Sequence, residues 1–168
     1  MTEFVDLRNA EGRIQKPGVA LNDRELYPEF YLPIAVGIIF NGLGKVLTEK
    51  RALTIDPQYN PSEIAHVAGI VKSGETPEET IEREGFEEAG IRPFSLRVVD
   101  QGILSQNRYR YLLAGQANAE PFVRDPEEVD WVKFMTLEEL KVMHVAGKEI
   151  FIPHFFEDLQ LAVSARSN

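Results

Sequence analysis

The sequence contains no cysteine. That absence excludes a disulfide framework, a zinc–thiolate site and a cysteine nucleophile, and it fits a cytoplasmic protein. A long apolar run is also missing. The most apolar stretch, Leu32 to Phe40, falls far short of the ~20 residues that span a bilayer. The opening MTEFVDLRNAEGR has neither the basic nor the apolar region of a signal peptide, so no membrane partner is expected. Positive charge is scarce: 18 Lys and Arg stand against 27 Asp and Glu, for a net −9. Nonspecific nucleic-acid binding needs a basic face, so no nucleic-acid partner is expected either. An acidic chain that handles phosphates would need cations to do so. The 3 histidines are His66, His144 and His154, and their scatter matches no metal-ligand spacing.

What is present suits one globular unit. A chain of 168 residues, 43% of them hydrophobic, has the length and composition of a single domain. Residues 1–30 read as an arm, with short strands at Phe4–Leu7 and Gly12–Gln15 around an Asn-Ala-Glu-Gly turn and a polar connection over 16–30. Residues 31–168 read as the main domain. Leu32–Phe40 is a β-rich run buried on both faces. Asn41-Gly-Leu-Gly44 turns it back into Lys45–Arg51 as a hairpin. Residues 52–62 are a loop and Ile64–Ile70 a further strand. Thr76-Pro77-Glu78-Glu79 announces a helix, with an N-cap, a proline at the first position and a capping-box Glu. Gly90 and Pro93 end it. Strands follow at Leu96–Leu104, Arg108–Ala114 and Trp131–Phe134. A short helix runs from Thr136 to about Met143, and an amphipathic helix over Lys148–Val163. Interleaved strands and helices give an α/β or mixed α+β class.

The chemistry gathers on the first helix. Glu84, Glu87 and Glu88 stand at i, i+3 and i+4, one turn apart on one face. Three carboxylates on one face repel one another unless a cation lies among them. Oxygen donors alone suit a hard ion, Mg²⁺ or Mn²⁺. Arg83 sits beside them, and Glu75 at the helix entrance is placed to pair with it. The three glutamates alone describe a solvated acidic surface equally well.

Residues 69–91 read GIVKSGETPEETIEREGFEEAGI. This resembles the Nudix box: Gly, five residues, Glu, seven residues, Arg-Glu, a hydrophobe, any residue, Glu-Glu, any residue, Gly, a hydrophobe. Gly69, Glu75, Arg83, Glu84, Glu87, Glu88, Gly90 and Ile91 fall on their positions. At average composition such a match arises by chance in roughly one window in 10⁸. Gly85 departs from it, standing where the pattern has a hydrophobe. A glycine there costs ~1 kcal/mol of helix propensity and is expected to let the helix approach a strand closely.

The resemblance implies the Nudix fold, a mixed sheet sandwiched between helices with the box as loop-helix-loop. It implies Mg²⁺-dependent hydrolysis of a diphosphate linkage in a small molecule, often a nucleoside diphosphate derivative. It makes Glu84, Glu87 and Glu88 metal ligands, with a backbone carbonyl at Ala68 or Gly69 as a further one. It makes Glu75 and Arg83 the pair that orients loop and helix. Family members place the general base either in the box or on a later loop. In Asp125-Pro-Glu-Glu-Val-Asp-Trp131 the preferred residue is Glu128, with Glu127 as the alternative and an exposed loop acid as the plainer reading of either.

Subfamily signs are mixed. Ala68-Gly69 is similar to the opening of the box in ADP-ribose pyrophosphatases, but their downstream Pro is missing at Ser105–Arg108. Tyr109 falls near a tyrosine of dinucleoside-polyphosphate hydrolases. Val5–Arg13 is similar to the start of the isopentenyl-diphosphate-isomerase-like branch, whose catalytic Cys is absent here. Arg51, Tyr59 and the Arg108–Tyr111 segment are candidates to bind a base or sugar by stacking, against strand packing and surface charge. The alternative to a hydrolase is a non-catalytic Nudix-like nucleotide sensor. Intact box charges and no basic extension disfavour it. A homodimer is a further expectation, with the arm exchanging contacts.

Overall fold

The computed structural model describes residues 2–54, 61–105 and 107–166. The elements in chain order are β1 (Phe4–Arg8), β2 (Ile14–Ala20), a 3₁₀ turn (Leu21–Leu26), β3 (Leu32–Phe40), β4 (Val46–Arg51), β5 (Ile64–Ala65), β6 (Val67–Ile70), α1 (Pro77–Ala89), β7 (Phe94–Ser105), β8 (Arg108–Gln116), β9 (Val129–Met135), α2 (Leu137–Ala146) and α3 (Phe155–Arg166). No helix among them is long and apolar enough to cross a membrane.

The spine is β3. It runs parallel to β8 over its whole length, Leu32 opposite Arg108 through Phe40 opposite Gln116, and antiparallel to β6 on its other side. β7 pairs antiparallel with β8 and forms that edge. The mixed sheet and its flanking helices agree with the expected class. Alternation along β3 sends Ala35 and Ile39 into one core and Val36, Ile38 and Phe40 into another. The first core is closed by Ile81 and Ala89 of α1, the second by Leu140 of α2 and by Phe155, Leu159 and Ala162 of α3. Burial of both faces is what the uninterrupted Leu32–Phe40 run encodes.

The expected β3–β4 hairpin forms only at its tip. Phe40 pairs with Val46, after which β4 leaves β3 and pairs with β9 and β5. The Asn41 carboxamide holds the turn by accepting from Leu43 N and Lys45 N at 3.0 and 2.9 Å. The strand expected over 64–70 is split at His66. The last helix begins at Phe155, after Pro153, instead of at Lys148.

The N-terminal strands are longer than expected, and the segment read as a plain connection continues β2 to Ala20. Val5, Leu7, Val19 and Leu32 form a third small core there. Asp6 ties this hairpin to the loop before α1. Its Oδ1 accepts from Gly18 N at 2.8 Å and Ser73 Oγ at 2.6 Å, and its Oδ2 from Gly74 N at 3.3 Å. Ser73 N donates to Phe4 O at 2.8 Å.

Candidate active site

Local sequence fixes α1 as predicted. Thr76 Oγ1 accepts from Glu79 N at 3.2 Å, and Glu79 Oε2 accepts from Thr76 N at 2.8 Å, so both halves of the capping box close. Gly90 ends the helix at φ 65 in the left-handed region, which a side chain would strain. Gly85 does bring α1 close to a neighbour, but the neighbour is not a strand. A β-carbon at residue 85 would meet Pro93 Cδ and Cγ at 2.9 Å. The glycine lets the chain fold back tightly as it leaves the helix.

Arg83 organises the front of the site. Its Nε donates to Glu75 Oε1 at 2.8 Å and its Nη2 to Glu75 Oε2 at 3.0 Å, a two-point grip. Glu75 Oε2 also accepts from Lys72 N and Thr80 Oγ1, at 3.2 and 3.1 Å. Burial raises the Glu75 pKa, but these donors overcome it and hold the carboxyl below its usual range. Arg83 Nη1 reaches Glu84 Oε1 at 2.6 Å and Glu87 Oε2 at 3.3 Å, and Nη2 reaches Ile70 O at 3.2 Å. One guanidinium thus links the loop, the strand before it and two of the three helix glutamates.

The helix face is graded in depth. Glu87 is at the rim, its side chain 55% exposed, while that of Glu84 is 13% exposed. Glu88 is buried, and its Oε2 has no hydrogen-bond partner. Burial pushes the Glu84 carboxyl up to about 7 against the pull of Arg83. Burial pushes Glu88 well above the usual range, and the charges of Glu49, Glu84 and Glu128 add to the effect. Gly69, on β6 opposite Ala35 with Ala68 opposite Val36, forms the floor under Glu84. A β-carbon there would lie 1.9 Å from Glu84 Oε1.

Glu49 was not legible as a site residue. It sits on β4, outside the box, with 2% of its surface exposed. Burial pushes its carboxyl up to about 7. Only the pairing of β4 with β9 and β5 brings it opposite the helix. The available signal was Leu47-Thr48-Glu49-Lys50-Arg51: read with period two, Leu47, Glu49 and Arg51 share a face, and Leu47 belongs to the core beneath α1.

The remaining candidates separate. Arg51, at the end of β4, acts electrostatically on Glu49, Glu63 and Glu88, so it stands beside the acids. Glu128 precedes β9 and raises the carboxyl pKa values of Glu49, Glu84 and Glu88. Its own carboxyl is raised by partial burial and by Asp125, Glu87, Glu3 and Glu127. Its loop is anchored to the end of α1 by Arg124 N to Glu88 O at 3.2 Å, and to β4 by Ala52 N to Glu128 O at 2.8 Å. Tyr109 goes elsewhere. It is buried in the α1-side core with its ring under the Gly12 turn, so strand packing accounts for it and no face is offered for stacking. Tyr59 lies outside the described residues. His66 is fully buried, stacked on Phe155 at 3.9 Å, and burial pushes its pKa down to about 4. The cleft along α2, lined by Met135, Val142 and Met143, belongs to the opposite layer and carries none of these groups.

Among the described residues no three His, Asp or Glu side chains stand together as a preformed metal cage. The donor chemistry nevertheless fits a hard divalent ion. The groups are carboxylates, burial first and then neighbouring acids raise the carboxyls of Glu49 and Glu88, and one oxygen of each lacks a hydrogen-bond partner. Mg²⁺ keeps several waters and takes one or two carboxylates plus substrate phosphates, so a three-donor protein cage is not required.

Residues 31–155 match the family model of the NUDIX domain. The chain is 30% identical over 137 residues to an uncharacterised Nudix hydrolase of Listeria monocytogenes, covering 76% of this chain and 75% of that one. It is 31% identical over 106 residues to an uncharacterised Nudix hydrolase of Yersinia pestis, 61% of this chain and only 57% of that protein's length. A solved structure from Deinococcus radiodurans superposes with a TM-score of 0.69 at 21% identity, covering 98% of each chain. That likeness concerns the fold.

Proposed function

This chain belongs to the Nudix family, and from that premise we propose that it is a Mg²⁺-dependent pyrophosphohydrolase of a nucleoside diphosphate derivative. The observation that carries the reading is Glu88. It is a buried carboxylate with an unpartnered oxygen, on a helix face whose other acids are already held by Arg83. A buried charge without a partner is costly in a purely structural setting. A cation makes it useful.

In this reading Glu84, Glu87 and Glu88, with a backbone carbonyl at Ala68 or Gly69, hold the metal. When bound, the ion polarises a phosphoryl oxygen, acidifies a water and neutralises the leaving phosphate. The protein's own groups do the rest. Arg83 and Glu75 fix the loop and the helix relative to each other. Arg51 supplies positive charge at the end of β4, where a polyanionic substrate needs it. Glu128, whose carboxyl is raised above the usual range, takes the proton of the attacking water, because a base titrating closer to neutrality is the more effective one.

The test is metal-dependent phosphate release from a substrate panel with a coupled phosphatase. Nucleoside triphosphates, ADP-ribose, nucleotide sugars and dinucleoside polyphosphates form the panel, and Glu87→Gln with Glu88→Gln is the control. Release that requires Mg²⁺ or Mn²⁺ and is lost in the double variant supports the reading. Silence across the panel by a wild type that binds Mg²⁺ moves the assignment to a nucleotide sensor or to a diphosphate outside nucleotides.

A further inference from the structure

The box does not contain every acid at this site. Glu49 enters from β4, on the opposite wall from α1, and three observations single it out. Its side chain is at the bottom of the site, 2% exposed, where an unpaired charge has no water to solvate it. Its Oε2 has no hydrogen-bond partner, and neither has Glu88 Oε2. The two carboxyl groups interact directly, and both respond to the charges of Glu84, Glu128 and Arg51. Two buried acids facing each other with an orphaned oxygen apiece have no structural rationale, since buried polar groups are otherwise satisfied. Lys50, the next residue, shows the contrast. It points to the other side of the sheet and is paired with Glu149 at 2.8 Å.

We propose that Glu49 is a metal ligand from outside the box, and that Glu49 and Glu88 together form the protein's innermost metal-binding pair, one carboxylate from the sheet and one from the helix. The inference rests on the metal-dependent reading above and adds a residue to it. Mg²⁺ is typically bound by one or two carboxylates with water and phosphate completing the shell. A pair drawn from two elements supplies that number at the bottom of the site, with Glu84 and Glu87, which Arg83 also contacts, as the outer ligands. An ion held by this buried pair would keep its solvent side free for phosphate.

The experiment titrates Mn²⁺ alone, without substrate, into the full chain and reads free Mn²⁺ by electron paramagnetic resonance. Wild type, Glu49→Gln, Glu49→Asp and Glu88→Gln are compared, and each is melted without metal. Glu49→Gln is expected to weaken Mn²⁺ about tenfold or more, the scale on which supporting groups alone already act. Its metal-free melting temperature should stay at or above that of wild type, because a buried carboxylate with an unpartnered oxygen has been replaced by a neutral amide. Glu49→Asp retains the charge but shortens the reach, so it should weaken binding too, and it serves if the Gln variant does not fold. Wild-type affinity in both Glu49 variants, with binding lost in Glu88→Gln, overturns the assignment of Glu49 while leaving the metal-dependent reading intact. A folded wild type that retains no Mn²⁺ overturns both.

Discussion

Glu84 rests directly on the backbone of Gly69: its Oε1 lies 1.9 Å from where a β-carbon of residue 69 would be. The first residue of the 69–91 motif and its helix acid are therefore one steric unit. Gly69→Ala should displace the Glu84 carboxylate while leaving the backbone in an ordinary strand. Misplacement on the ångström scale costs about 10²-fold in rate. The expected outcome is a loss of kcat/KM of about that size with a small change in melting temperature. Hydrolysis assays beside thermal melts check it, and an Ala variant with full activity contradicts it.

Arg83→Lys keeps the charge and loses the geometry. A lysine cannot reproduce the two-point grip on Glu75 together with the contacts to Glu84, Glu87 and Ile70 O. Activity is expected to fall about 10–100-fold, as for other groups that orient metal ligands. The accompanying loss of stability should be about 1 kcal/mol, since the side chain is partly solvent-screened. Urea unfolding and kinetics on one preparation separate the two effects.

Metal-free stability should carry a pH signature. Glu49 and Glu84 titrate near 7 in the folded chain, raised from 4.5 by burial. Between those values the folded state binds more protons than the unfolded state. These groups therefore contribute stability that is full below about pH 4.5 and is lost as pH rises through 7. His66, lowered to about 4, runs the other way, and its contribution is lost as pH falls from 6.5 to 4. The cleanest readout is the difference between wild type and Glu49→Gln. In EDTA, wild type should lose stability relative to the variant on going from pH 5 to 7.5, on the order of 1 kcal/mol. Parallel curves would count against it.

Asp6→Ala removes the acceptor shared by Gly18 N, Ser73 Oγ and Gly74 N. Asp6 titrates below its usual range because these donors and Arg8 outweigh its burial. The three donors are on exposed residues, so water replaces the lost acceptor in part and the cost is about 0.5–1.5 kcal/mol. Amide exchange at Gly74 should accelerate, and activity should fall, because the same loop presents Glu75 to Arg83. Unchanged Gly74 exchange would show that the hairpin does not hold the loop.

The sequence made α1 legible down to its caps because every determinant is local: Thr76, Pro77, Glu79 and Gly90 lie within a few residues of the groups they satisfy. The 69–91 motif named the helix acids for the same reason. Long-range pairing stayed hidden. A turn at Asn41–Gly44 implies that β4 returns along β3, yet β4 pairs with β9, from Val46 opposite Met135 to Arg51 opposite Val129, far onward in the chain. Nothing near Glu49 records that partner, so a buried ligand candidate looked like one more charge in a Glu-Lys-Arg run. Tyr109 failed in the opposite direction. A tyrosine at the right distance from the motif reads as a ligand contact, but the parallel pairing of β8 with β3 turns it into the core.

β3 belongs to both layers at once. Ala35 and Ile39 support the helix that carries the acids, while Val36, Ile38 and Phe40 hold the helices behind the sheet. A strand shared this way makes the two cores cooperative: neither can melt while the other persists. A methyl group deleted from Ile38, on the face turned away from the α1 glutamates, should lower the temperature at which the α1 face is lost by as much as one deleted from Ile81 of α1 itself. The thermal limit of the α1 face is set by the whole sandwich, and residues remote from its glutamates become its guardians.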